Sequence, residues 1–239
     1  MTRFSFRSHS VLYSFLLAIT FAAQPSFAIQ SRSSQNAKIP NIYEVRKQLD
    51  TYVDSGAYDR EIARLLVPAH RWLVKRARTA VKPAMILDVD ETALSNWPAM
   101  RVNGWFRMTE GGCNLEKGPC NTRAYQAMAR SKAIPATLAL AQEAKSLGVA
   151  VFFISGRPVR LQDATEKNLK EQGYEFAGVI LRPADSTDPT VVDFKAPARR
   201  TIKEQGYTII MNVGDQQSDL DGGYAERTYK LPNPVYFVK

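Results

Sequence analysis

Hydrophobic positions along this chain fall into two kinds of run, and the two kinds alternate. Ile42, Val45, Leu49, Tyr52 and Val53 recur at helical spacing, and Gly56 ends that pattern. Ile62, Leu65, Leu66, Ala69 and Leu73 form a second, longer helical set with a kink expected at Pro68. Then comes Ala84 to Leu87, a continuous apolar run too short for a helix, which predicts a buried strand. Further continuous runs follow at Val149–Ile154, Phe176–Leu181 and Tyr207–Val213, with a weaker one at Thr228–Leu231. Helical patterns separate them: from Pro135 to Gly148, around Leu161 and Leu169 up to Gly173, and from Pro197 to Gly206. Strands alternating with helices in connections of this length predict an α/β fold, a doubly wound parallel sheet with helices on both faces. The first two helices, about residues 40–80, are expected to add an N-terminal helical layer.

Residues 97–132 break the alternation. They carry Trp97, Trp105, Phe106, Gly111, Gly112 and Tyr125, and only Thr122–Arg130 hints at a helix. This stretch reads as a small cap inserted after the first strand. Its aromatics either pack the insertion or form a platform for the apolar part of a ligand.

The leading residues change the picture of where the protein works. Arg3 and Arg7 precede an apolar run, Val11–Ala23, and Ser26-Phe27-Ala28 supplies small residues for cleavage. This is the pattern of a secretory signal peptide over residues 1–28, leaving a single domain from about Ile29 to residue 239. The apolar run is short for a membrane anchor. The formal charge of the whole chain is +9, and +7 without Arg3 and Arg7. The basic residues are spread out, so the excess reads as a solvated surface and no nucleic-acid module is expected. Cys113 and Cys120 are the two cysteines, and in an oxidising compartment they could close a small loop. Neither their spacing nor a nearby His supports a zinc site. His70 and His9 are the only histidines, which leaves little material for histidine-based nucleophilic chemistry.

Chemistry gathers where the strands stop. The first run ends in Asp88 and Asp90, the second in Ser155-Gly156-Arg157, and the last in Gly214-Asp215 with Asp219 beyond. Lys195 lies between the second and third. Ligands bind such sheets at the strands' carboxyl ends. Convergence there would assemble carboxylates, a hydroxyl, loop amides and an ammonium, which suits a hard divalent cation such as Mg²⁺ and a phosphate. An EF-hand does not fit, because Ala93 and Ala99 stand where Gly and Glu are required. Taken singly, each motif could be a cap, a turn or a surface lysine. Their joint order at strand ends points to a site.

In that order the motifs resemble the haloacid dehalogenase (HAD) superfamily of phosphohydrolases, with its Rossmannoid fold. DVDET at Asp88–Thr92 looks like the first motif, Ser155 the second, Lys195 the third and GDQQSD at Gly214–Asp219 the fourth. LDVDETALSN, TEKNL at Thr165–Leu169, ILR at Ile180–Arg182, Arg199 after the FK pair, and KLPNPVYF resemble the class B-like acid phosphatases (subfamily IIIB). That group includes plant acid phosphatases, vegetative storage proteins and bacterial secreted acid phosphatases. The similarity runs from about Pro83 to the carboxyl terminus. Ser155 stands where Thr is common, and Ala196-Pro197 follow the lysine where polar residues are usual.

The resemblance implies an exported acid phosphatase, periplasmic or secreted, acting on small phosphomonoesters with Mg²⁺. Nucleotides and a broad range of simple esters both fit as substrates. Asp88 would be the nucleophile and form an aspartyl-phosphate; Asp90 would protonate the leaving group and then activate water. Closeness of the two carboxylates would help keep Asp90 protonated. Asp88, the Asp90 carbonyl and Asp215 would hold the metal, with Asp219 behind them. Ser155, Gly156 and Lys195 would hold phosphoryl oxygens, assisted by Arg157. Two alternatives share the ingredients: a storage or phosphate-binding relative without turnover, and a signalling receiver. The paired acids argue against the first, and the leader and cap against the second.

Overall fold

The computed structural model describes residues 1–2, 39–187 and 189–238. The expected signal peptide falls outside these, except for its first two residues. Pro40–Lys239 form one compact unit.

Its centre is a five-stranded parallel sheet in the order β5-β4-β1-β6-β7, from β1 (Pro83–Leu87), β4 (Ala150–Pro158), β5 (Gly178–Arg182), β6 (Thr208–Gly214) and β7 (Thr228–Lys230). Successive side chains of a strand point to opposite faces, so a run that is apolar throughout is buried on both. Met85 and Leu87 of β1 pack on one face with Val151 and Phe153 of β4. Ala84 and Ile86 pack on the other with Phe152 and Ile154. The first face is covered by α2 (Ala57–Ala77) and α5 (Pro135–Ser146), the second by α7 (Val191–Glu204). The helical layer and the two-faced sheet thus stand as the hydrophobic pattern predicts.

One irregularity sits in β6. Ala84 pairs with Ile209 and Met85 with Met211, so Ile210 is an extra residue, a β-bulge. The bulge puts Ile210 and Met211 into the same core cluster, against the alternation of the rest of the strand. The Ile210 carbonyl accepts a 2.8 Å hydrogen bond from the Trp72 indole of α2.

α1 (Ile42–Asp54) runs into α2 through Gly56, whose φ of +70° reverses the chain at a position that favours glycine. The inserted segment holds more order than its sequence pattern suggests. It contains α3 (Trp97–Val102), α4 (Thr122–Ala127) and an antiparallel pair of β2 (Leu94–Ser95) with β3 (Lys132–Ala133), and a Cys113–Cys120 disulfide closes it. Trp97, Trp105 and Tyr125 are packing, whereas Phe106 is exposed. Trp97 and Trp105 are nearly buried, with Tyr58 of α2 at 4.7 Å from Trp97 and Trp105 at 5.1 Å, edge to face. The apolar platform considered for them is absent from the ligand cavity.

α6 (Gln162–Glu171) links β4 to β5 after a short 3-10 turn. α7 begins six residues before Pro197, not at it, because Thr190 and Asp193 form a reciprocal capping box. Lys195 is therefore a helical residue. α8 (Gln217–Leu220) is a single turn after β6.

Candidate active site

β1 and β6 lie side by side, but the chain leaves β1 toward β4 and leaves β6 toward β7. That divergence opens a crevice at their carboxyl ends. A cavity of about 230 Å³ occupies it, lined by Asp88, Asp90, Ser155, Gly156, Lys195, Asp215 and Asp219 among others. All seven residues expected from the sequence come together there.

Asp88 follows β1 and is held by its backbone N–H, which donates to the Val213 carbonyl of β6 (3.0 Å). Lys195 reaches in from α7. Its Nζ pairs with the Asp88 carboxylate and lies 2.6 Å from Asp219 Oδ1. The other Asp219 oxygen accepts from the Gln216 N–H at 2.9 Å. Both oxygens of Asp219 are thus committed, and its evident work is to fix the lysine. Gly214 makes room for it: a Cβ there would sit 2.4 Å from the Asp219 Cβ.

Asp215 is gripped from three elements. Thr92 Oγ1 donates to its Oδ1 (3.3 Å), and Gln216 Nε2 and Asn233 Nδ2 donate to its Oδ2 (both 2.6 Å). Lys230 Nζ donates to its carbonyl at 3.0 Å. The KLPNPVYF stretch is therefore a strap around the fourth motif, and Val238 closes it onto the Gln216 side chain. Arg199 does similar work from α7, donating to the carbonyls of Asp219 (2.7 Å) and Gly223 (2.9 Å).

Asp90 has a different setting. Asn96 Nδ2 (2.7 Å), Gln126 Nε2 (3.0 Å) and Arg157 Nη2 and Nε (2.6 and 3.0 Å) all converge on its Oδ1. Arg157 is fully buried, and Thr165 Oγ1 accepts from its Nη1 at 3.2 Å. Asn96 is supported by Ser131, which exchanges bonds with Asn168. The TEKNL stretch thus serves Asp90 through Thr165 and Asn168. Arg157 does not line the cavity, so its expected contact with phosphate gives way to a different role: it holds Asp90.

Charge in the site departs from expectation in one respect. Burial pushes the Asp88 carboxyl well above the usual range, against the pull of Lys195, and Asp219, Asp215 and Asp90 add to the push. Burial and Asp219 push Asp215 up to about 8. Burial acts on Asp90 too, but the Arg157 guanidinium outweighs it and holds that carboxyl below its ordinary value. The net shift of Asp90 is therefore downward, opposite to the one expected from its closeness to Asp88. Burial disfavours the Lys195 charge, yet Asp219 and Asp88 outweigh it and its pKa is raised.

Lys195 pairs with Asp88 and Asp219 and Arg157 with Asp90, whereas among the described residues no cation forms an ion pair with the Asp215 carboxyl, so the cluster keeps an acidic excess. Oxygens of Asp88, Asp215 and Asp219 lie within 4.8 Å of one another, close enough to hold one ion. An all-oxygen donor set with that residual charge fits a hard divalent cation.

Sequence reasoning missed several residues of the cavity wall: Asn96, Arg107, Thr122, Arg123, Gln126, Gln216 and Tyr236. Asn96, Gln216 and Tyr236 lie in quoted motifs, which was the available signal. The others lie in or beside segments with no such pattern. Glu91 is buried behind the site with φ +55°, bonded to the Tyr236 hydroxyl and the Asn96 N–H; burial pushes its carboxyl up to about 7.

Comparisons with known proteins agree with this architecture. The stem 28 kDa glycoprotein of Glycine max is 36% identical over 165 residues, 66% of this chain and 61% of that protein. Acid phosphatase 1 of Solanum lycopersicum is 35% identical over 155 residues, 64% of this chain and 58% of its own length. The chain thus spans little more than half the length of these curated relatives. Among solved structures, the class C acid phosphatase from Bacillus anthracis superposes with a TM-score of 0.64 at 22% identity, covering 82% of this chain and 86% of that one. The family model described as HAD superfamily, subfamily IIIB (acid phosphatase) matches residues 19–239, and the chain belongs to that family.

Proposed function

We propose that this protein is an exported, Mg²⁺-dependent phosphomonoesterase working through an aspartyl-phosphate on Asp88. The observation that carries the reading is the contrast between two strand-end carboxylates. Asp88 faces the cavity beside a buried ammonium. Asp90 is anchored through Oδ1 alone, so its Oδ2 is the oxygen left to handle a proton.

The Asp88 and Asp215 carboxylates and the Asp90 carbonyl would hold the metal, which when bound neutralises charge on the phosphoryl group. Lys195, the Ser155 hydroxyl and the Gly156 amide orient the phosphoryl oxygens against Asp88. Attack by Asp88 forms the aspartyl-phosphate and expels the alkoxide. Asp90 Oδ2 gives that oxygen its proton, then takes one from the water that hydrolyses the intermediate. A bound phosphate dianion raises the proton affinity of Asp90 against the pull of Arg157, so Asp90 takes up its proton as substrate arrives. Most acceleration comes from preset positions and charge. Export is supported by the leader pattern and by a disulfide, which persists in oxidising compartments.

Several relatives are named as storage proteins, including vegetative storage protein 1 of Arabidopsis thaliana. A storage role needs no turnover. Phosphate release from p-nitrophenyl phosphate, with Mg²⁺ and with excess chelator, separates the readings: the enzyme is active in the first and silent in the second.

A further inference from the structure

We propose that the outer half of the cavity is a second anion subsite, so that the protein selects small phosphomonoesters whose leaving group carries a carboxylate or a second phosphate. The inference rests on the phosphomonoesterase reading and assigns its leaving group.

The inner cations are spoken for: Lys195 pairs with Asp88 and Asp219, Arg157 with Asp90. Two others have contacts that leave their charge unmatched: Arg123 Nη2 donates to the Gly156 carbonyl at 3.5 Å, and Arg107 lies over the Tyr236 ring. Arg107 and Arg123 line the cavity, and among the described residues no carboxylate forms an ion pair with either, or with Arg160 nearby. Arg123 is half-buried on α4; burial and repulsion from Arg107, Arg157 and Arg160 disfavour its charge, with only Asp90 in its favour. Gathering guanidinium groups around a partly desolvated cavity is costly until an anion arrives.

A second observation concerns what lies between that anion and the ester. Thr122 Oγ1 and Gln126 Oε1, on the same helix, are buried without a partner among the described residues, and both residues line the cavity. The Gln126 nitrogen is committed to the Asp90 carboxylate, which only accepts, so the orphan atom is an acceptor. Buried polar atoms in native proteins are almost always paired. A ligand hydroxyl next to the ester would pair it.

The wall lacks the complement of a nucleobase. Trp97 and Trp105 pack away from it, and its one described aromatic is Tyr236, pinned through its hydroxyl to Glu91, with the Arg107 guanidinium 5.4 Å from its ring centre. At about 230 Å³ the space suits a small ligand.

Non-hydrolysable probes test this on the intact protein with saturating Mg²⁺. Calorimetry would compare propylphosphonate with 3-phosphonopropionate and with propane-1,3-bisphosphonate. Either two-anion probe should bind roughly tenfold or more tightly at low salt, as a charge-assisted contact implies. The gap should narrow with added NaCl and shrink in Arg107→Gln and Arg123→Gln, each checked for fold by circular dichroism. The arm with the larger gap identifies the second group as carboxylate or phosphate. Equal affinities, or a gap that both substitutions leave intact, overturn the subsite. Hydrolysis of p-nitrophenyl phosphate with no gap removes the subsite alone. A gap without hydrolysis removes the phosphatase reading and leaves the anion site standing.

Discussion

The Arg157 guanidinium closes on one oxygen of Asp90, with Nη2 at 2.6 Å and Nε at 3.0 Å, across 67 residues of sequence. The arginine is wholly buried, whereas Asp90 keeps about a fifth of its side chain exposed toward the cavity. Arg157→Met would leave Asp90 with only the Asn96 and Gln126 amides. Breaking a buried pair in this way costs about 3–5 kcal/mol, to be read by urea denaturation. Because the role is positioning, turnover of alkyl phosphates should fall more than turnover of nitrophenyl phosphate. Equal losses on both esters would reduce Arg157 to a structural residue.

Metal removal should register in stability as well as activity. With oxygens of Asp88, Asp215 and Asp219 gathered within reach of one ion, Mg²⁺ should bind the folded protein in preference to the unfolded one. At a thousandfold excess over its Kd that is worth about 4 kcal/mol. Thermal melts should therefore shift upward with Mg²⁺ and back with chelator, and Asp215→Asn should flatten the shift. A melting temperature indifferent to Mg²⁺ would remove the ion from the site.

Gly214→Ala tests the packing of the fourth motif. Its Cβ would meet the Asp219 Cβ at 2.4 Å, inside contact distance, so Asp219 has to move. Overpacking of this kind costs roughly 1–3 kcal/mol. Displaced Asp219 releases Lys195, so activity should fall further than stability. A fully active Gly214→Ala protein would show that Asp219 does not hold the lysine.

The Cys113–Cys120 bond lies in the small apolar cluster of the inserted segment, separate from the two clusters of the sheet. The loop is short, so the chain-entropy contribution is about 2 kcal/mol. Thiol titration of unfolded, unreduced protein should find no free thiol, and two free thiols would contradict the bond.

The sheet was legible because its three central strands, β1, β4 and β6, are buried on both faces and so read as largely apolar runs. Asp88, Asp90 and Asp215 were legible for the same reason: a carboxylate right after such a run has few cheap explanations. The start of α7 was not, because Pro197 looked like a helix beginning, while the capping box of Thr190 and Asp193 had already begun it. Arg157 was misread because sequence places it beside Ser155 and Gly156, whereas its side chain turns inward to Asp90. Arg123 and Gln126 carried no signal, since their meaning depends on α4 docking against a loop more than 30 residues away.

The last prediction separates the two acids. Asp88 and Asp90 carry identical side chains, so their roles must come from surroundings. Asp88 borders Lys195 and the metal cluster, and an amide in its place keeps the shape but cannot attack phosphorus. Asp88→Asn should abolish turnover of every ester while the protein stays folded. Asp90 has Oδ1 tied down by four bonds and, among the described residues, none on Oδ2, which leaves that oxygen to carry a proton. Asp90→Asn should lower kcat for alkyl phosphates by roughly 10²–10⁴. The loss should be much smaller for nitrophenyl phosphate in the first step, because nitrophenolate departs without a proton. Burst kinetics then follow: hydrolysis of the aspartyl-phosphate still needs the base, so nitrophenolate should appear in a burst before a slow steady state. Beryllium fluoride with Mg²⁺ should form its adduct on Asp88. An adduct on Asp90, or near-normal turnover by Asp88→Asn, would reverse the assignment.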